Sequence, residues 1–240
     1  MEQSTQAIVL HATKYGETSV ILNAYTQQSG LRAYVVKGVR SAKRNKTFSM
    51  GMFQPLTQLE LVAFTPKRGG LSILKSAKIT HPYNTISTEI SKSSICIFLA
   101  EVLRSVLKEE EENASLYHFL QHALVWLDTH DKIANVHIHI LIQLTKYLGV
   151  YPDISNISQP YFDLQNGQFC QYANSKDCVS GEEVMLLKIY LGMKFDMLDT
   201  ISATSEQRRT LVMLLMQYYQ LHVQSFRMPK SLDVLYEVFS

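Results

Sequence analysis

Arg40, Lys43, Arg44 and Lys46 fall within a short stretch that contains no aspartate or glutamate. Such a cluster can neither pack in a core nor pair with its neighbours, so it faces solvent or a partner rich in negative charge. The chemistry it fits is neutralisation of phosphates, the sequence-independent part of nucleic-acid binding. Lys14, Arg32, Lys37, Lys67 and Arg68 extend the same footprint. Tyr15, Tyr34 and Phe48 lie near these cations and could stack unpaired bases. The competing readings are ordinary ones: a charge run is most often solvated surface, and an aromatic in a strand most often fills the core. Concentration favours binding. Residues 1–80 carry eleven basic and three acidic side chains, a net +8, while the rest of the chain nets −6 and the whole only +2. With no residue identifiable as a reader of base edges, the expected binding is sequence-independent.

The other chemistry-bearing residues point away from catalysis. His137 and His139 are two apart, which on a helix sends the imidazoles to different sides, whereas zinc pairs on helices are spaced by four. Satisfied or solvent-facing histidines are the simpler reading. Glu109–Glu112 spread around a helix end as a solvated run instead of facing one another as an acid/base pair. Cys96, Cys170 and Cys178 are an odd count without a C-x-x-C spacing. Glycine-rich phosphate loops and nucleophile–base arrangements are absent from the sequence. Farther on, Met213, Met216 and Met228 lie near Arg208, Arg209, Arg227 and Lys230. An apolar groove rimmed by these cations would suit an acidic peptide tail ending in bulky residues, although core packing explains the methionines equally well.

The elements that must position these groups change period along the chain. With 46% hydrophobic and 18% charged residues, the chain can bury a proper core. Strands are predicted at Gln6–Thr13, Ser19–Thr26, Leu31–Val39, Thr57–Phe64 and Leu71–Ile79, with glycine-bearing turns between most of them. Five short strands in about 80 residues suit a small closed barrel, of which the OB-fold is the commonest nucleic-acid-binding form. From Ser91 the apolar residues recur at three and four, giving helices near Ser91–Lys108, 116–127 and Val136–Leu148. Ser180-Gly-Glu-Glu183 and Thr204-Ser-Glu-Gln207 read as capping boxes opening two more, and a last short helix runs from about Lys230 to Phe239. Asn166-Gly167 signals a hairpin within 161–173. The expected class is α+β: a five-stranded OB-fold over 1–80, then a helical domain over 81–240 with a small β-hairpin insertion. No secretory leader or membrane-length apolar run is apparent, so a reducing cytoplasmic setting is expected.

Four segments carry a family resemblance. Tyr15-Gly-Glu-Thr18 followed by an apolar strand, a Ser-Gly turn and Lys37-Gly-Val-Arg40 resembles the N-terminal pattern of the RecO family of bacterial recombination mediators. Tyr147-Leu-Gly-Val-Tyr-Pro-Asp153 and Lys230-Ser-Leu-Asp-Val-Leu235 are similar to its later segments, in the right order. The resemblance implies binding of single- and double-stranded DNA, strand annealing, and partnership with RecR and the acidic C-terminal tail of single-stranded-DNA-binding protein in loading RecA. Lys37, Gly38 and Arg40 match the family motif directly. Many members carry a four-cysteine zinc module after the Pro-Asp segment. Residues 152–159 contain no cysteine, so neither zinc nor any other cofactor is expected.

The reading is a non-enzymatic DNA-repair and recombination mediator, nucleoid-associated in the cytoplasm. Its rivals are an RNA-binding OB protein of the tRNA-binding kind, a non-catalytic adaptor whose basic barrel binds an acidic protein, and a metal-dependent hydrolase using His137, His139 and the acidic run.

Overall fold

A computed structural model describes residues 2–41, 47–66, 71–224 and 226–240. The chain divides into two compact units, Met1–Thr129 and His130–Ser240. In the first, strands β1 (Glu2–Tyr15), β2 (Ser19–Thr26), β3 (Gly30–Val36), β4 (Gln58–Phe64) and β5 (Ser72–Ile79) close a barrel in the order β1-β2-β3-β5-β4. All pairings are antiparallel except β3 with β5, which meet in parallel at Tyr34↔Ser72 and Val35↔Ile73. This is the expected five-stranded OB-type barrel.

Closure depends on β1, which is longer than its sequence alternation indicates. Its first half pairs with β4 (Glu2↔Phe64 to Ile8↔Gln58) and its second with β2 (Ala7↔Thr26 to Tyr15↔Ser19). A register shift between Val9 and His11 lets one strand bend to serve both neighbours. Ala7, Val9, Val20, Leu22, Val36, Leu59, Leu61 and Leu74 fill the interior. A short 3-10 helix, Met50–Phe53, adds Phe53 to that core.

Helices α1 (Ile90–Val106) and α2 (Ala114–Thr129) complete the first unit, and α1 packs on β1. The link from barrel to α1 is pinned by one buried carboxylate. Asp128 accepts from the N–H groups of Asn84, Thr85 and Ile86 at 2.9–3.0 Å, and buried Lys92 donates to Thr85 Oγ1 at 2.8 Å. Burial pushes the Asp128 carboxyl up, but these amides outweigh it and hold the group below the usual carboxylate range.

The second unit is built on α3 (Val136–Tyr147), apolar nearly all round, against α4 (Glu182–Leu191) and α5 (Ser205–His222), with α6 (Leu232–Val238) last. The Thr204 capping box forms as expected: its hydroxyl accepts from Gln207 N, and Gln207 Oε1 accepts from Thr204 N. The one expected at Ser180 does not. Ser180 ends a strand and Gly181 occupies the cap position at φ +98°, with no side-chain cap. The hairpin is a three-stranded sheet instead: β6 (Tyr161–Asp163) lies between β7 (Gln168–Cys170) and β8 (Cys178–Ser180). Its turn spans four residues, held by Asp163 accepting from Gln165 N and Asn166 N. Among the described residues, no helix is long and apolar enough to cross a membrane.

Candidate nucleic-acid interface

The register of the barrel decides which cations meet. Lys14 is opposite Val20 on β2, and Val20 is opposite Val36 at the end of β3. Lys14, Lys37 and Arg40 therefore reach the same end of the barrel as the β1–β2 turn. Arg40 is fastened there: its N–H donates to Thr18 O at 2.9 Å and its Nη1 to Glu17 O at 3.2 Å. Gly16, at φ +62°, makes the turn with the freedom only glycine has cheaply. Tyr15 stands on this rim, 50% exposed.

Arg32 is elsewhere. It sits five residues before Lys37 on β3, roughly 16 Å away at the usual strand rise, beyond the point where β3 meets β5. It shares the inward parity of Tyr34 and Val36, at the open end of the barrel. There it faces the acidic segment between α1 and α2. Arg32 Nη1 lies 2.7 Å from Glu110 Oε2, and Leu31 N donates to Glu109 O at 2.9 Å. A cavity of about 530 Å³ opens beside this pair, lined in part by Gln3, Thr5, Tyr34, Leu71 and Ser72. Burial and then the Glu109 carboxylate raise the nearby Tyr25 phenol to about 12. Among the described residues, Arg32 thus stands apart from Lys14, Lys37 and Arg40, toward the other end of β3.

Two of the three stacking candidates are corrected. Tyr34 is only 5% exposed, and Phe48 packs on Phe53 with ring centroids 6.1 Å apart; both belong to the barrel core. The run Leu31-Arg-Ala-Tyr-Val-Val36 is apolar at nearly every position, so alternation does not reveal which face its tyrosine takes. Lys43, Arg44, Lys46, Lys67 and Arg68 lie outside the described residues. Lys75 and Lys78, which sequence reasoning left out of the site, are exposed on β5, where Lys78 stands opposite Glu60. The partnership of Glu110 with Arg32 was also missed, because nothing local links residues 78 apart.

Comparison with known proteins matches residues 1–83 to the profile described as Recombination protein O N terminal, and residues 87–232 to its C-terminal counterpart. The chain belongs to the RecO family. A DNA repair protein RecO of Christiangramia forsetii is 43% identical over 98% of both chains. One of Flavobacterium psychrophilum is 41% identical over the full length of both, and one of Phocaeicola vulgatus 33% identical, again over the full length. Membership of the RecO family supports a role in DNA repair and recombination.

The second unit of this RecO-family chain holds a separate cavity of about 550 Å³, with two arginines, Glu206 and His137 in its wall. Arg208 and Arg209 line it together with Val212, Met213, Leu235 and Phe239. The Arg209 guanidinium lies 4.6 Å above the Tyr236 ring, and Arg208 Nη1 donates to Ala203 O. Arg227 and Lys230, exposed in the segment leading to α6, do not line it. His137 and His139 are both buried in the core of this unit, not solvent-facing. Burial, helped by Arg208, lowers His137 to about 3; burial, helped by Lys146, lowers His139 to about 4.

The cysteines do not fit the family's zinc module. Cys170 and Cys178 lie on the two strands flanking β6. Asp163, opposite Cys178, is committed to the turn amides. Among the described residues, no group of three or more His, Cys, Asp or Glu is arranged to hold a metal ion. The Ser175 hydroxyl, 3.6 Å from Cys178 Sγ, lowers that thiol, while burial raises Cys170.

Proposed function

We infer that the chain is a non-enzymatic recombination mediator whose barrel, residues 1–80, binds single- and double-stranded DNA and anneals complementary strands. The observation that carries this reading is the gathering of Lys14, Lys37 and Arg40 around exposed Tyr15 at one end of an OB-type barrel, in a chain of the RecO family. Three cations at one rim lower the repulsion between two phosphate backbones, and released counterions drive binding without nucleotide hydrolysis. The Tyr15 ring supplies a platform for an unpaired base. Arg32, Lys43, Arg44, Lys46, Lys67 and Arg68 are further candidate phosphate contacts on the strength of their charge and their place in the sequence.

The helical domain, residues 81–240, takes the protein partners. The Arg208–Arg209 cavity suits the acidic C-terminal tail of single-stranded-DNA-binding protein: guanidinium groups for its carboxylates, and Met213, Leu235 and Phe239 for its bulky end. With RecR, the protein then helps load RecA onto coated strands, in the cytoplasm at the nucleoid.

The test is a salt titration of a single-stranded oligonucleotide with Lys14, Lys37 and Arg40 changed together to Gln. Each contact contributes about 0.7 to the log–log salt slope. The triple variant should therefore flatten the slope by about 2 and bind roughly 100-fold more weakly near 0.1 M salt, with its melting temperature kept. An unchanged affinity and slope would reject the barrel as the DNA-binding surface.

A further inference from the structure

We propose that Glu110 occupies Arg32 as an internal stand-in for phosphate, and that a single-stranded DNA backbone entering the cavity at the barrel mouth displaces it. The inference rests on the barrel being the DNA-binding part, and adds a gate to it.

The contact is built in layers. The backbone of the acidic segment is fixed to the barrel by Leu31 N–H donating to Glu109 O at 2.9 Å. The approach is so close that a Cβ on Gly30 would lie 2.5 Å from both Glu109 O and Glu111 O. Gly30 also sits at φ +59°, so both its space and its conformation require glycine. The Glu110 side chain is not held in this way. Its carboxylate reaches Arg32 from solvent, with the two side chains 68% and 40% exposed. An exposed pair of this kind is weak and is screened by salt.

The pair lies on the rim of a 530 Å³ cavity, the size of a ligand site, which opens at the mouth of the barrel. Arginine recognises carboxylate and phosphate through the same planar fork of N–H donors. A phosphate that reaches Arg32 takes the place of Glu110 Oε2, and the carboxylate turns into water while its backbone stays anchored at Leu31. The gate thus keeps Arg32 oriented toward the cavity and sets a small, salt-dependent threshold for binding there.

Glu110→Gln keeps the side chain's shape and removes its charge. The experiment measures binding of a fluorescein-labelled oligo-deoxythymidine by wild type, Glu110→Gln, Arg32→Gln, the double variant, and Glu112→Gln. Glu112 makes no ion pair with Arg32, so the last variant changes the net charge equally and serves as control. Glu110→Gln should tighten binding by roughly three- to fivefold at low salt. The gain should fade at high salt, disappear in the Arg32→Gln background, and be absent from Glu112→Gln. Wild-type binding that Glu110→Gln leaves unchanged, or an equal gain from Glu112→Gln, overturns the gate while sparing the DNA-binding reading. Absence of binding by both wild type and Glu110→Gln overturns both.

Discussion

Lowering the pH from 8 to 5 should cost the second unit about 4 kcal/mol of stability, and two histidines of α3 account for nearly all of it. His137 and His139 are packed into the core and neutral, with pKa values lowered to about 3 and about 4. In the unfolded chain each titrates near 6.5. The unfolded state therefore binds protons first, so stability is whole above pH 6.5 and is lost as the pH falls toward 4. At pH 5 the folded imidazoles remain neutral while the unfolded ones are almost fully charged, a loss of about 2 kcal/mol for each. Asp128, held below the usual carboxylate range, adds little above pH 5. The loss is a large part of the 5–15 kcal/mol typical of a whole domain. The assay is urea unfolding by far-UV circular dichroism at pH 8, 7, 6 and 5. His139→Leu should remove about half of the pH dependence, because a leucine has no proton to bind. Urea midpoints that stay level from pH 8 to 5, or a His139→Leu protein with the full dependence, would refute the reasoning.

Two further outcomes are expected. Arg209→Ala removes both a wall of the Arg208–Arg209 cavity and the guanidinium stacked on Tyr236, and should weaken binding of an acidic single-stranded-DNA-binding-protein tail peptide at least tenfold by fluorescence anisotropy, leaving oligonucleotide affinity intact. Thr204→Ala deletes one half of the capping box on α5 and should cost about 1 kcal/mol in a denaturant titration.

The barrel was legible in the sequence because its strands alternate or carry β-branched residues and because glycine marks the turns. The helical unit was legible because its period changes to three and four. Thr204 was read correctly since a capping box is a local device, with both partners inside four residues. The same local pattern misled at Ser180, where strand pairing with Tyr161 claims the serine and leaves the cap to Gly181. The three-residue strands are too short to show a period. The site was less legible than the fold. Tyr34 goes to the interior with the parity it shares with Val36, and Phe48 goes there from the connection between β3 and β4 by packing on Phe53, a contact no local pattern announces. The separation of Arg32 from Lys14, Lys37 and Arg40, and its capture by Glu110, arise from register and from a contact 78 residues apart.

The double duty of β1 has a kinetic consequence. Its leading half finds its partner 50 to 62 residues downstream, so the ring cannot shut until β4 has been made and delivered. Ring closure is therefore a long-range, late event of the kind that slows folding. The leading half of β1 is among the last parts to be locked, and removing it would unzip a seam in the middle of the wall instead of fraying a loose end.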